Sequence, residues 1–283
     1  MRHRLETPTD GRIPVTDLSN LSPSLQVELL SVAHSLADAA RPIALQYFRK
    51  AGQGVENKLE GDFDPVTVAD REIEQAMREI LAQRRPDDGI FGEEYGQSEG
   101  TSGLTWVLDP IDGTRAFISG LPTWGVLIAV GGTDGPHIGM IDQPFTGERF
   151  IGAPSGAEWL RGDERVPLKA RSCAVLAEAT LFTTFPEVGL PAERAAFERV
   201  RDQVQLTRYG VDCYAYGLIA AGQADLVIEA GLNAYDVQGP IAVIHAAGGI
   251  VTNWQGGPAH NGGQVVAAGD ARTHAAALDL LNA

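Results

Sequence analysis

Two aspartates directly follow a short apolar stretch near the middle of the chain. The apolar run 106–108 is typical of a buried strand, and Asp109 and Asp112 come immediately after it. Gly113 and Thr114 follow, and they can offer backbone N–H groups to an anion if this turn opens a short helix. Carboxylate oxygens are the ligands that hard cations such as Mg²⁺ prefer. The stretch therefore predicts a place where a metal ion and a phosphate group are held together.

Other acidic residues also stand where a helix begins or a strand ends. Asp70 precedes a helical pattern, Glu93 and Glu94 follow a short strand at 89–91, and Asp236 precedes another helix. Each has an ordinary structural explanation on its own, because Asp favours helix N-termini and acidic residues are common in turns. Taken together, they predict one common acidic site.

Periodicity predicts the elements that position these residues. The Ser22-Pro23 pair predicts the start of a long helix, and the strands of the first half are expected to be largely antiparallel. The second half alternates strands and helices. The predicted helices span 25–48, 191–203, 212–222, 236–247 and 271–281, with another that starts near 70, and the predicted strands span 89–91, 106–108, 125–130, 137–141, 149–151, 180–184, 226–229 and 264–268.

Composition excludes several functional classes. The chain has 283 residues, 44% of them hydrophobic, and a formal charge of −15, which disfavours nucleic acid and anionic membranes as partners. No run approaches the roughly 18 apolar residues of a membrane span. Cys173 and Cys213 lack the spacing of a zinc site or a disulfide framework, so a reducing cytoplasm is expected.

The predicted domain organisation is simple. Residues 1–20 are polar and form a loose N-terminal extension, and residues 21–283 form a single unit. No linker separates independent domains, so we expect two closely packed halves, 21–155 with the metal site and 156–283 on the substrate side.

Four motifs occur in an order that resembles the inositol monophosphatase family. They are D-P-V-T-x-x-D at 64–70, G-E-E at 92–94, D-P-I-D-G-T at 109–114 and an aspartate at 236 before an apolar helix ending in A-G-G. The match covers about residues 55–256. The resemblance implies a mixed α/β, five-layer αβαβα sandwich of the inositol monophosphatase and fructose bisphosphatase superfamily, an Mg²⁺-dependent phosphatase activity and a homodimer.

The resemblance also implies a set of metal ligands. Glu93, Asp109 and the Ile111 carbonyl would bind a first Mg²⁺, and Asp109, Asp112 and Asp236 would bind a second. Glu93 would also hold water on a third, weaker Mg²⁺, which gives two to three ions per site.

Further roles follow from the same family pattern. Asp70 and Thr114 would orient the attacking water, with Glu93 assisting, and Glu94 would support the ligands without binding metal. Lys58 matches a lysine near the family's active-site flap, but it has an equally simple explanation as a solvated loop lysine.

The residues after the hexapeptide resemble the histidinol-phosphatase branch of the family. Arg115, together with the N–H groups of Gly113 and Thr114, is expected to contact the phosphate. Asp212 and Glu229 are candidates for binding an amine or ring, because extra negative charge favours a cationic alcohol. Alternatively, Asp212 is a helix cap and Glu229 a solvent-exposed carboxylate at a strand end.

The leading hypothesis is a phosphatase that releases L-histidinol from L-histidinol phosphate in histidine biosynthesis. The alternative is an inositol-1-phosphatase or a broad sugar phosphatase, and a catalytically inactive relative would be recognised by a missing ligand. Pro240 is expected near the first turn of a helix that begins at Asp236. Trp124 and Trp254 are expected in the core, although a lid or a dimer contact is an alternative.

Overall fold

A computed structural model of the protein describes residues 21–50, 55–57 and 65–283, and for residues 55–57 and 65–67 it describes the backbone alone. The predicted extension 1–20 and Lys58 lie outside the described residues. The helices are α1 (Pro23–Tyr47), α2 (Val68–Arg84), α3 (Thr114–Ser119), α4 (Pro191–Arg201), α5 (Tyr214–Ala220), α6 (Ala234–Ala246) and α7 (Ala271–Leu281). The strands are β1 (Val55–Asn57), β2 (Pro65–Thr67), β3 (Gly89–Gly92), β4 (Gly96–Ser98), β5 (Thr105–Asp112), β6 (Gly125–Gly132), β7 (Gly135–Gln143), β8 (Glu148–Ala153), β9 (Gly156–Arg161), β10 (Glu164–Pro167), β11 (Thr180–Thr183), β12 (Leu206–Tyr209), β13 (Leu226–Leu232), β14 (Ile250–Thr252) and β15 (Gly263–Ala268).

Most strands belong to two sheets. The first has eight strands in the order β10-β9-β8-β7-β6-β5-β3-β4, and all its neighbours are antiparallel except β3 and β5, as the sequence predicted for this half. The second has five strands in the order β12-β11-β13-β15-β14, with β11 parallel to both neighbours and the remaining pairs antiparallel. β1 and β2 form a separate antiparallel pair.

The helices and sheets stack in five layers, which confirms the predicted αβαβα architecture. Helices α1 and α2 cover one face of the first sheet, α5 and α6 lie between the two sheets, and α4 and α7 cover the outer face of the second. Alternate residues of one strand therefore enter different cores. On β13, Val227 packs towards α5 and α6, whereas Leu226 and Ile228 pack towards α4 and α7.

The sequence missed β1 and β2 and five short strands of the two sheets, namely β4, β9, β10, β12 and β14. Four of them are edge strands of the two sheets, and β9 is next to an edge. All four residues of β10 are exposed, so it carries no apolar alternation from which a strand could be predicted. The first sheet also continues to Pro167, so the change from one sheet to the other comes after the expected division at about residue 155.

Helix α6 lies very close to the first sheet, and this contact positions its N-terminus. A side chain at Gly139 on β7 would collide with the backbone carbonyl of Gly239 on α6. Only glycine permits this approach of helix and strand. The helix also contacts β5, so its first turn lies near the strand that carries Asp109 and Asp112.

Both predicted core tryptophans are buried. Trp124 packs against Phe48 and Phe117, with ring centroids 5.2 and 4.8 Å away, and the indole of Trp254 donates a hydrogen bond to the carbonyl of Val265. They are core residues rather than parts of a lid. Among the described residues, every helix is too short or too polar to cross a lipid bilayer.

Candidate active site

Asp109 and Asp112 lie on β5 and point towards the same place, although a spacing of three residues would put them on opposite faces of a regular strand. The pairing of β5 with β6 explains the difference. Asp109 lies opposite Leu127 and Asp112 opposite Gly125, so β5 has one extra residue between the two pairs. This is a β-bulge, which changes the direction of the side chains that follow it.

Asp236 joins these two aspartates from another layer. It is in the first turn of α6, where its Oδ2 accepts a hydrogen bond from the backbone N–H of Asn233 at 2.5 Å. The positive end of a helix dipole favours a carboxylate at this position. One carboxylate oxygen each from Asp109, Asp112 and Asp236 lie within 4.8 Å of one another. One cation could contact all three.

A second group of carboxylates lies beside the first. Asp70, in the first turn of α2, has a carboxylate oxygen within 4.8 Å of one from Glu93 and one from Glu94, which follow β3. The two groups influence each other electrostatically: Asp70 and Glu93 are among the carboxylates that raise the pKa of Asp109. The structure thus brings together all six acidic residues that the sequence predicted for one site.

The acidic cluster is electrostatically unfavourable without a cation. Burial raises the pKa of Asp109 and of Asp112 well above the usual range, and the neighbouring carboxylates raise both further. Burial likewise raises the pKa of Asp236 to about 6. Asp109 is only 1% exposed, and its Oδ1 accepts no hydrogen bond from any described residue. A buried carboxylate oxygen without a donor, among other carboxylates, fits a divalent cation that prefers oxygen ligands.

The turn after β5 links the predicted metal site to the predicted phosphate site. Gly113 has a φ of 80°, in the left-handed region that favours glycine, and α3 begins at the next residue, Thr114. The hydroxyl of Thr114 donates a hydrogen bond to the Ile111 carbonyl at 3.1 Å. A carbonyl oxygen has two lone pairs, so it can accept this bond and still serve as a ligand.

Asp212 does not cap the helix that follows it. The cap position of α5 is Cys213, and no side chain caps the helix. The N–H of Cys213 donates to Oδ2 of Asp112 at 2.8 Å, which connects α5 to the end of β5. Asp212 itself has a φ of 47° and accepts a hydrogen bond from the hydroxyl of Thr123 at 2.9 Å. A Cβ at Gly113 would lie 2.9 Å from the Cβ of Asp212. Burial raises the pKa of Asp212.

Glu229 is buried, so its alternative interpretation as a solvent-exposed carboxylate is wrong. It is 8% exposed and accepts hydrogen bonds from the hydroxyl of Thr183 at 3.2 Å and from the N–H and hydroxyl of Thr184 at 2.6 and 2.9 Å. Burial raises the pKa of Glu229 to about 7, although the threonine donors act in the opposite direction.

A cavity of about 260 Å³ connects the metal-site carboxylates with these two acids. Asp112, Asp236, Asp212 and Glu229 all line it. At its wall, the guanidinium of Arg115 lies 4.9 Å from the ring centroid of Phe185, a cation–π contact. Its lining combines apolar side chains with a small number of polar groups, as small-molecule sites do. Its remaining lining includes Gly113, Thr114, Thr184, Cys213 and Tyr216.

Among the residues of this site that sequence reasoning missed are Glu74, Phe185 and Tyr216. Glu74 is buried and holds the loop after β3: its carboxylate accepts the N–H of Glu94 at 2.7 Å and that of Tyr95 at 3.2 Å. A signal for Glu74 was present, because it stands four residues after Asp70 and therefore on the same face of α2. Phe185 and Tyr216 carry no such signal, since aromatic residues are common in any core.

Pro240 lies in the interior of α6 and not near its first turn, as the sequence had suggested. The helix begins at Ala234, two residues before Asp236, with Asn233 at its cap. Proline has no N–H, so it provides no helical hydrogen bond for the carbonyl of Asp236 four residues earlier. The side chain of Asp236 keeps its place in the first turn.

The chain matches a model of the inositol monophosphatase family over residues 25–282. It is 41% identical over 281 residues to the bifunctional phosphatase IMPL2, chloroplastic, of Arabidopsis thaliana, covering 94% of this chain and 80% of the relative. It is 33% identical over 257 residues to the histidinol-phosphatase of Mycobacterium tuberculosis, covering 90% and 98%. A solved structure of an inositol monophosphatase from Zymomonas mobilis is 40% identical, with a TM-score of 0.80 over 91% of this chain and 98% of that one.

Proposed function

This chain belongs to the inositol monophosphatase family, and on that premise we propose that it hydrolyses L-histidinol phosphate to L-histidinol and phosphate, a step of histidine biosynthesis. Family membership establishes the general reaction: the protein is a metal-dependent phosphomonoesterase. The proposal concerns which phosphate ester it takes and which residues perform the reaction.

The observation that carries the substrate proposal is the pair of buried acids in the cavity. Asp212 and Glu229 line the cavity together with Asp112 and Asp236, yet neither belongs to the two groups of candidate metal ligands. Two carboxylates beyond the metal site favour an alcohol that carries positive charge, because complementary charge stabilises the bound state. Histidinol phosphate carries an ammonium and an ionisable imidazole, whereas inositol phosphate presents neutral hydroxyls.

The proposed metal site uses the predicted ligands. Glu93, Asp109 and the Ile111 carbonyl would hold one Mg²⁺, Asp109, Asp112 and Asp236 a second, and Glu93 would help to hold a weaker third. When bound, such ions neutralise the phosphate, lower the pKa of water and stabilise the leaving alkoxide. The buried and unpartnered Oδ1 of Asp109 supports this assignment.

The other residues of the chain position water and phosphate. Asp70 and Thr114 are proposed to orient the attacking water, and the backbone N–H groups of Gly113 and Thr114 would donate to phosphate oxygens. Arg115 is proposed to add a positive charge at the cavity wall. Glu94 would support the ligands from the loop after β3, where its N–H is fixed by Glu74.

The relatives support two candidate substrates. The Mycobacterium tuberculosis relative carries the name histidinol-phosphatase, which agrees with the proposal. The Zymomonas mobilis structure carries the name inositol monophosphatase and is 40% identical, which favours inositol-1-phosphate or broad sugar-phosphate hydrolysis as the second candidate. A homodimer and a cytoplasmic location stay predictions, and the Arabidopsis relative is named chloroplastic.

Phosphate release from three esters, measured side by side, tests the proposal. We expect kcat/KM for L-histidinol phosphate to exceed that for inositol-1-phosphate by about tenfold or more, since one favourable ion pair of about 1.4 kcal/mol gives this factor. p-Nitrophenyl phosphate serves as an ester without the ammonium. A tenfold preference for the inositol ester would overturn the substrate proposal, and turnover that survives a chelator would overturn the metal mechanism.

A further inference from the structure

Tyr216 lines the candidate active site and has a buried hydroxyl. The residue lies on α5, is 4% exposed and lines the same cavity as Glu229 and Asp236. Its hydroxyl oxygen has no hydrogen-bond partner among the described residues. Burying a hydroxyl without a partner costs free energy, so buried tyrosine hydroxyls usually have one.

The carboxylates around Tyr216 accept hydrogen bonds from other donors. Glu229 accepts three hydrogen bonds from Thr183 and Thr184, Oδ2 of Asp112 accepts the N–H of Cys213, and Oδ2 of Asp236 accepts the N–H of Asn233. These carboxylates are nevertheless close enough to act on Tyr216. Burial and then Glu229, Asp112 and Asp236 raise its pKa well above the usual value.

The other tyrosine of the same helix shows the contrast. Tyr214 also lies on α5, but its hydroxyl donates to Oε2 of Glu148 at 2.7 Å, and it lines a different cavity. The unsatisfied hydroxyl of Tyr216 is therefore not a general property of this helix. It occurs where the helix borders the candidate active site.

The chemistry of the surroundings determines which group this hydroxyl suits. Of the carboxylates that act on Tyr216, Glu229 has the largest effect and is not a proposed metal ligand, so its negative charge favours a cation over an additional acceptor. A carboxylate has about four lone-pair sites, and Glu229 uses three of them, so one remains for a ligand. An ammonium has three N–H donors. Asp212, Glu229 and Tyr216 offer three acceptors for them within one cavity.

We propose that the hydroxyl oxygen of Tyr216 accepts a hydrogen bond from the ammonium group of the substrate and thereby sets the preference for a cationic phosphate ester. The inference rests on the proposed function and adds a neutral acceptor to the two acids already assigned. Tyr216 is a specificity-determining residue in this scheme, because it contacts the alcohol part of the substrate and not the phosphate.

The test compares Tyr216→Phe with Tyr214→Phe, each of which removes a single oxygen atom. For Tyr216→Phe, we expect the ratio of kcat/KM for L-histidinol phosphate to that for inositol-1-phosphate to fall about tenfold, mainly through KM. Calorimetry should give an approximately tenfold higher Kd for L-histidinol itself. Tyr214→Phe should leave both quantities within twofold of wild type. Thermal melting checks that both variants are folded.

The outcomes separate this inference from the proposed function. If the wild-type protein prefers inositol-1-phosphate, the substrate proposal fails and the ammonium contact fails with it. If the wild-type protein prefers L-histidinol phosphate but Tyr216→Phe lowers both esters equally, or leaves L-histidinol binding unchanged, only the role of Tyr216 is overturned.

Discussion

Glu74→Gln tests whether a buried carboxylate behind the acidic cluster holds the metal site in place. In the wild-type protein, Oε2 of Glu74 accepts the N–H of Glu94 at 2.7 Å, and Oε1 accepts the N–H of Tyr95 at 3.2 Å and Nε of Arg78 at 2.8 Å. The substitution keeps the size of the side chain but replaces one oxygen by an NH₂ group. It therefore perturbs the loop beside Glu93 without removing a predicted metal ligand.

The magnitude follows from the possible orientations of the new amide. With its NH₂ group in place of Oε2, only the N–H of Glu94 loses its acceptor, whereas the other orientation leaves the N–H of Tyr95 and the guanidinium of Arg78 without one. The first orientation is less unfavourable. A buried donor without a partner costs about 1–3 kcal/mol, and replacing the charged acceptor of Arg78 by a neutral one costs about 1 kcal/mol more. We expect the free energy of unfolding to fall by about 2–4 kcal/mol.

Metal binding should weaken as well. Glu93 is adjacent to Glu94, whose N–H loses its acceptor, so the backbone that positions the Glu93 carboxylate becomes less constrained. Substitution of groups that support metal ligands commonly lowers metal affinity about 10–100-fold. The Mg²⁺ concentration that gives half-maximal activity should therefore rise about tenfold or more.

Thermal melting and Mg²⁺ titration of activity measure the two effects. The melting temperature of Glu74→Gln should fall by roughly 4–16 °C, given about 2–4 °C per kcal/mol for a large domain. Glu79→Gln is the matched control, because Glu79 lies on the same helix but is exposed and bonds only to Gln75 among the described residues. A Glu74→Gln variant with wild-type melting temperature and wild-type Mg²⁺ dependence would refute the positioning role.

Three further predictions concern the site itself. Gly113→Ala should lower kcat/KM about 100-fold, since its Cβ would lie 2.9 Å from that of Asp212 and small displacements of reacting groups have effects of this size. Gly120→Ala is the control, because its φ of 73° is similar but its Cβ would lie 3.5 Å from the nearest atom, so it should melt lower yet retain activity. Equal losses of kcat/KM in the two variants would contradict the steric argument. Burial raises the pKa of Glu229 to about 7, so in chelator the folded state binds this proton more tightly and loses stability as pH rises from about 4 to 7. Glu229→Gln should remove up to about 3 kcal/mol of this pH-dependent loss in the free energy of unfolding, as measured by urea unfolding. The same pH dependence in the variant and in wild type would contradict the prediction. Asp109→Asn should lower Mg²⁺-dependent kcat/KM by at least about 100-fold, because it removes a proposed metal ligand and not only a group that supports one. In chelator the variant should melt at a higher temperature than wild type, because burial and the neighbouring carboxylates raise the pKa of Asp109 and disfavour its charge. A lower melting temperature in chelator would contradict that reasoning.

The long elements were predictable because their apolar periodicity is strong. Helix α1 begins at Pro23, and the Ser22 hydroxyl accepts the N–H of Leu25 at 3.2 Å, as the Ser-Pro pair indicated. The central strands of both sheets were found for the same reason. Edge strands such as β10 and β12 were missed because their residues are mostly exposed, so local sequence carries little information about their pairing.

The sequence predicted which residues form the site better than it predicted how they are arranged. The motif at 109–114 and its partners predicted which carboxylates belong together, and the structure places them together. The sequence motifs could not predict that a bulge lets Asp109 and Asp112 point to one place, that the N–H of Cys213 donates to Asp112, or that Glu229 is buried. These features depend on pairing between strands and on contacts between layers.

The sequence by itself determined the family, the αβαβα fold and the acidic residues of the site, because short motifs keep residue types at fixed spacing along the chain. Only the tertiary structure identified Glu74, Phe185 and Tyr216 as parts of that site. Burial and unsatisfied hydrogen bonds are properties of the packed molecule: the hydroxyl of Tyr216, on a helix that packs between two sheets, is buried without a partner among the described residues. The acidic residues were therefore readable along the chain, whereas the proposed role of Tyr216 depends on contacts between residues that are distant in sequence.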